Sequence, residues 1–499
     1  MTTSRTLVHG ALAASLLFGP LPAADASPAD KLVIEAGRII TQAGEDIEDG
    51  VIVVENGRIA AIGPAADVEK PWDAPVVGGP GFVAAPGFVE AFANRGMDRA
   101  NENLDVTPYL NVRDSIDPVN VYFEDCKRWG ITTVNVQQGT DTVVAGNGRI
   151  VKPFGMTVEQ MTVRPDYGFT IAIDPKRGKS RATQLQTLER AFSDLRRDLE
   201  KMVGEAKDQQ AYDRREALGQ GREYEEPDAP GRAMGGAGWD IEGLELVDRA
   251  EIDEKVLPLL EMVEGRHDIF LYCGAPMDVQ PAIDFARANG LLPRTTLVLD
   301  DSCWKAADAI AAAGLSVILD SNLVHVETDP VTEEETETFV PGVFAEKGIP
   351  FALRSANTST NSLWFQAAVC VGHGMDRTKA MDAVTRTAAE VIGLGDHVGS
   401  LEVGKLANVL LLTGDPLDMT TFVEHAFAEG AHIYDRAADV RNKHLYEGVE
   451  PRGAMATESE ELEVPTKDAD EQPTKGEDDD DHEHGDEHED ETKDDEKDA

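Results

Sequence analysis

The sequence predicts an α/β protein, on three observations. From about residue 130 to residue 355, short apolar runs alternate with amphipathic helical stretches, the pattern of parallel strands joined by helices. Residues 32–85 read instead as short strands separated by turn signals. Beyond Val464 there is no large apolar side chain, so that end has nothing to bury in a core and is expected to be disordered.

The elements follow in order. Arg5, the apolar stretch 7–18 and Ala24-Asp25-Ala26 form the charged, apolar and small-residue regions of a secretory signal, so residues 1–26 are read as a signal peptide. The protein is expected to be exported, to a periplasm or the extracellular space. "KLVIEAGRII" and "GVIVVENGRIAAIG" follow, with Asn56-Gly57 between two β-branched runs as a hairpin signal. "ITTVNVQQ" reads as a strand preceded by a helix through Cys126 and Trp129. "IFLYCG", "TTLVLDD", "LSVILDS" and "PFALRSA" read as four later strands, with helices at 279–289, 304–313 and 380–394. Residues 183–207 read as a charged amphipathic helix on the exterior, and residues 211–238 as a long mobile loop.

Composition narrows the function classes. The formal net charge is -47 over 499 residues, and residues 458–498 carry 22 acidic residues against four basic ones. Nucleic acid is excluded as a partner, because phosphates are bound through Lys and Arg. No run after the signal is long and apolar enough to span a bilayer. Four cysteines, Cys126, Cys273, Cys303 and Cys370, are too few for a disulfide framework and are read as small buried residues, with one pairing left open by export. The tail run "DDDDHEHGDEHED", with His482, His484 and His488, reads as a solvated acidic segment with loose divalent-cation binding as its other reading.

The segment "PGFVEAFAN", residues 86–94, resembles the "PGFVDAHTH" element that opens the barrel of amidohydrolase-superfamily enzymes, nearest the imidazolonepropionase-like branch. "VGSLEVGKLANVLLLTGDPLD", residues 398–418, resembles the return segment of that family, with Asn408 in place of an Asp. The resemblance implies a (β/α)8 TIM-like barrel over residues 86–397. It also implies a composite β-sandwich built from residues 27–85 and 398–448, leaving 449–499 as the acidic tail. In the family, two histidines at the end of the first barrel strand hold the catalytic metal. Here the same positions read Phe92 and Asn94, flanking Ala93. The resemblance places a further His at Gly274 and the proton-shuttling Asp at Ala356, and offers only Leu299, Asp300, Asp301 and Ser302 where another His is expected. Lys152 is the nearest candidate for a bridging lysine, without an assignment.

Phenylalanine offers no lone pair and a single Asn oxygen is a weak ligand, so the metal motif reads as lost. Hydrolysis in this superfamily relies on a metal to acidify water, so no catalytic residue and no cofactor is expected. A zinc site relocated to Cys273, Cys303, Asp300, Asp301 and Asp320, all near strand ends, is the alternative. His267, His325, His373, His397, His425, His432 and His444 have no metal-ligand spacing and read as loop or surface residues. Arg95, Gln137 and Arg354 also fall at strand ends, and with Asp300, Asp301 and Asp320 they are candidate ligand-binding residues. Arg354 has two readings, a bidentate carboxylate binder or an internal ion pair. Two functions remain open. One is an exported pseudoenzyme with an unknown small molecule or protein as its partner. The other is a divergent hydrolase of C–N bonds, in cyclic amides or dipeptide-like substrates.

Overall fold

The structure is a computed structural model and describes residues 31–224, 234–236, 238–355 and 362–447. The signal region and the acidic tail lie outside the described residues. So do Ala356 and part of the expected loop at 211–238.

Nineteen strands are present among the described residues. The first four are β1 (Lys31–Ile39), β2 (Ile47–Glu55), β3 (Arg58–Pro64) and β4 (Val76–Pro86). Then come β5 (Phe88–Ala93), β6 (Ile131–Val136), β7 (Val144–Asn147), β8 (Arg149–Val151), β9 (Thr162–Arg164) and β10 (Phe169–Ala172). β11 (Ile269–Cys273), β12 (Thr295–Leu299) and β13 (Ser316–Leu319) are followed by the hairpin β14 (Val324–Thr328) and β15 (Glu335–Phe339), and then by β16 (Phe351–Leu353). The last three are β17 (Val409–Leu412), β18 (Val423–Ala428) and β19 (Ala431–Asp435).

The two ends of this region meet in one seven-stranded sheet, ordered β19-β18-β17-β4-β1-β2-β3. Asn56 and Gly57 both have positive φ, 51° and 76°, which a two-residue hairpin turn requires. β17 pairs antiparallel with β4, Val409 opposite Pro86, and so ties residues more than 300 positions apart. Ile34, Ile52, Val54, Val409 and Leu411 are fully buried in the core of this sheet. The ladders join the chain ends side by side in one sheet; they do not divide it into the two facing layers of the expected sandwich.

The central region holds the parallel strands. β5 and β6 are parallel and belong to a four-stranded sheet, β5-β6-β8-β9. β10, β11, β12, β13 and β16 are parallel in a six-stranded sheet that ends on the antiparallel β7. The ladders give these two sheets rather than a closed eight-stranded ring. Both sheets nevertheless feed one core: Val89, Phe92 and Ile150 from the first pack with Phe270, Val298, Ile318 and Ala352 from the second. Hydrogen bonds also cross between the two, Gly148 N–H to Gly168 O at 2.9 Å and Ser355 N–H to the Glu90 carboxylate at 3.1 Å.

Several helices depart from the sequence expectation. The charged helix runs Arg181–Gly219, so residues 211–219 extend it instead of opening a loop. "AYDRREAL" is made mostly of good helix formers, and the helix ends only at Gly219. The expected helix at 380–394 is two short ones, Arg377–Asp382 and Arg386–Val391, broken at Thr385. Beyond β19 the chain turns into a helix, Val440–Glu447. All four cysteines are buried free thiols. No helix among the described residues is long and apolar enough to cross a membrane.

Candidate functional site

The C-terminal ends of parallel strands carry the functional loops of such folds. β5 brings Phe92 there. Its ring is 1% exposed and meets Phe270 of β11 edge-on, with centroids 5.9 Å apart. The Arg354 guanidinium, just past β16, lies 5.7 Å from the Phe92 centroid in a cation–π position. An aromatic ring and a bound cation therefore stand where the resemblance places a metal ligand.

Arg354 gathers two of the acids that the sequence singled out. Its Nη2 is 3.5 Å from Asp300 Oδ1, and its Nε is 3.4 Å from Asp320 Oδ1. The internal ion pair, rather than a free carboxylate binder, is the reading the geometry supports. Tyr272 Oη donates to the other Asp300 oxygen at 2.8 Å. Burial raises the Asp300 pKa above the ordinary carboxylate value, and the Tyr272 hydrogen bond and Arg354 charge counter this only in part. Burial and the neighbouring Asp300 also push the Tyr272 phenol well up.

Asp301 points into a separate contact. It accepts from Asn322 Nδ2 and sits 3.1 Å from His325 Nδ1. Gln137 is fully buried and its amide nitrogen donates to Asn135 Oδ1 and Tyr167 O, both at 2.8 Å, so it stitches the interior together. Arg95 and Asn94 are exposed. Lys152 pairs with Glu429 in the turn between β18 and β19, on the side of the seven-stranded sheet, so it does not join this cluster. Cys303 Sγ donates to Cys273 O at 3.2 Å, and burial raises both thiols, Cys303 to about 12.

Glu90 is the residue that sequence reasoning missed. It is 0% exposed on β5 and receives the Ser355 backbone N–H at 3.1 Å to each carboxylate oxygen, together with the Ser355 hydroxyl. Burial raises its pKa to about 8; the Ser355 hydrogen bonds and the Arg354 charge pull the other way without cancelling this. An acid inside the otherwise apolar "FVEAFA" was the available signal, since a carboxylate is rarely buried without a partner. Asp174 was missed as well. It follows β10, pairs with Arg181 at 3.2 Å, and closes the space beside Gly274. A Cβ at Gly274 would come within 2.6 Å of the Asp174 carboxyl carbon, so a side chain at this position needs Asp174 to move.

The described residues at these positions do not fit a divalent metal. Phe92 has no donor atom, Gly274 has no side chain, and the nearest carboxylates already neutralise a guanidinium. Among the described residues, no three His, Cys, Asp or Glu side chains are placed to share one ion.

Comparisons with known proteins place the chain as follows. Residues 274–432 match the family described as the amidohydrolase family. The fold resembles that of an amidohydrolase from Thermotoga maritima MSB8, at 20% identity and a TM-score of 0.61 over 81% of this chain and 100% of that one. A zinc-bound adenosine deaminase from Xanthomonas campestris matches at 18% identity over 83% of this chain and 97% of that one, with a TM-score of 0.45. A putative prolidase from Bifidobacterium longum matches at 16% identity over 82% and 95%, with a TM-score of 0.44. No curated protein matches.

Proposed function

We propose that this is an exported protein with an amidohydrolase-like fold that has given up metal-dependent hydrolysis and keeps a binding role. The observation that carries the reading is Phe92, a buried ring packed on Phe270 under the Arg354 guanidinium. A metal-based mechanism needs a Lewis acid to lower the pKa of water. At this mouth the positive charge is supplied by Arg354, which is held by Asp300 and Asp320 and offers no open coordination position. The shared core of the two central sheets, and the Glu90–Ser355 bond across them, support a barrel-like scaffold beneath it.

The matching family region favours a second reading, a divergent hydrolase of C–N bonds using zinc at a relocated site. Among the described residues, His325 with Asp301 is the imidazole–carboxylate pair near these strand ends that such a site would start from.

Elemental analysis of the purified chain separates the two. The full chain is dialysed against chelator and high salt to strip the acidic tail, and a second preparation ends at Gly448. Less than a tenth of an equivalent of zinc or iron in both is the expected result. About one equivalent retained by the shortened chain overturns the proposal and restores the hydrolase. The double change Phe92→His with Asn94→His should still bind no stoichiometric zinc, because Asn94 is exposed, Gly274 is closed off by Asp174, and Arg354 remains nearby.

A further inference from the structure

The opposite end of the parallel strands carries a cavity of about 300 Å³, within the size range of small-molecule sites. Phe88 opens β5, and Arg128 and Trp129 come just before β6, so this cavity lies at strand N-termini, away from Phe92 and Arg354. Its other walls come from the helix Leu363–Gly372, from β17 to β19 and from the helix Val440–Glu447.

Aromatic rings dominate the lining. Trp129 and Trp364 lie near-parallel, 23° apart in plane with centroids 6.4 Å apart. Phe422 and Leu445 stand at the rim, 50% and 77% exposed. The walls are braced. Arg128 donates to both Asp439 oxygens, at 2.8 and 3.2 Å, and to Asp125 at 2.8 Å. Tyr434 Oη donates to the same Asp439 at 3.0 Å. A cavity held open in this way has already met part of the ordering cost of binding.

The charges determine the class of ligand. Arg128 is matched by Asp125 and Asp439. Arg436 stacks 4.1 Å from the Phe422 centroid and sits 3.5 Å from Glu424. Every charged side chain of the lining thus has an opposite charge beside it, and an incoming ion would lose its hydration with no free counter-charge to replace it. Thr421 and Asn442 supply uncharged polar groups. We propose that this seam cavity is a binding site for a small, neutral, planar aromatic molecule carrying a hydroxyl or amide, seated against Trp129 and Trp364. The proposal does not depend on whether the mouth at Arg354 is catalytic.

The test uses the full chain with 2-naphthol as a neutral probe and 2-naphthoate as its anionic counterpart, followed by calorimetry and tryptophan fluorescence. One saturable 2-naphthol site per chain is expected, with naphthoate at least tenfold weaker. Trp364→Ala should weaken 2-naphthol by roughly tenfold, the size of effect a central aromatic anchor carries, and Leu445→Asp, which sets a carboxylate at the rim, by about threefold. Leu445 is exposed, so its variant tests the site even if Trp364→Ala fails to fold. Arg354→Met, at the other strand end, should leave the affinity unchanged. Absence of saturation, equal affinity for naphthoate, or binding indifferent to Leu445→Asp overturns the proposal. So does a dimer in sedimentation that Leu445→Asp dissociates, because the rim would then be covered by a second copy.

Discussion

The two ends of the parallel strands are built on opposite principles. At the C-terminal end, Phe92 fills the space beside Phe270, Arg354 pairs with Asp300 and Asp320, and Tyr272 donates to Asp300. At the N-terminal end, Trp129 and Trp364 line open space, and the ion pairs stand behind the wall as braces. Around Phe92 and Arg354, where the family resemblance promises chemistry, the space is thus filled and neutralised, and the cavity at this end, about 310 Å³, lies to one side, among residues that follow β5 and β6 such as Met97, Glu102, Tyr109 and Gln138. The end for which no motif speaks keeps a cavity. A strand-end position need not stay open, because the hydrophobic effect and charge pairing reward filling it.

Phe92→Ala is the strongest test of the filled end. Truncating a fully buried phenylalanine should cost about 4 kcal/mol of unfolding free energy in urea melts, from lost transfer energy and the cavity left behind. A loss below about 1 kcal/mol would mean that the mouth is as open as the seam.

Glu90→Gln sharpens the comparison through pH. The Glu90 pKa of about 8 in the folded chain exceeds the 4.5 of a solvated carboxyl, so between those values the unfolded state is ionised while the folded state keeps its proton. Wild-type stability therefore falls as pH rises through that window, by up to ~1.4 kcal/mol per unit from this group. The Gln variant lacks this slope. Relative to wild type it should gain on the order of 3 kcal/mol between pH 5 and pH 8. Parallel stability curves for the two proteins would show that Glu90 stays ionised in the folded chain.

Arg354→Met comes next, at about 2 kcal/mol lost at pH 7, because it leaves Asp300 and Asp320 partly buried without their cation. Asp300 already has a raised pKa, which the loss of Arg354 raises further. The deficit should grow with pH above the wild-type Asp300 pKa and shrink in acid, where the carboxyl is neutral in both proteins. A deficit independent of pH would assign it to lost packing on Phe92 instead.

The smallest effect belongs to the seam. Leu445→Asp, at a side chain 77% exposed, should change stability by less than about 0.5 kcal/mol. A larger loss in thermal melts would make the rim part of the core.

Much of the fold was legible as local pattern. The strands from β1 to β4, the Asn56–Gly57 turn and the parallel strands β11, β12, β13 and β16 follow from alternation, β-branching and turn chemistry, which act between near neighbours. The helix runs on to residue 219, past the loop that the glycine- and proline-rich composition of residues 211–238 predicts, because the helix formers in "AYDRREAL" precede those glycines and prolines. At the mouth, Asp300, Asp320 and Arg354 were legible as strand-end residues and prove to be one cluster. Gln137, chosen by the same rule, is a buried brace, because a strand-end position does not say which way a side chain faces.

The sequence by itself determined the chemical inventory and the short-range structure. Phe92 and Asn94 stand where two imidazoles are expected, and no fold can give a phenyl ring a lone pair. Tertiary structure alone decided the partnerships: β17 on β4, Ser355 on Glu90 across 265 positions, Arg354 between two aspartates, Lys152 turned to Glu429, and Trp129 beside Trp364. Such contacts leave no trace in local periodicity. They form when distant segments must share one core and one set of buried charges, and that requirement exists only once the whole chain is packed.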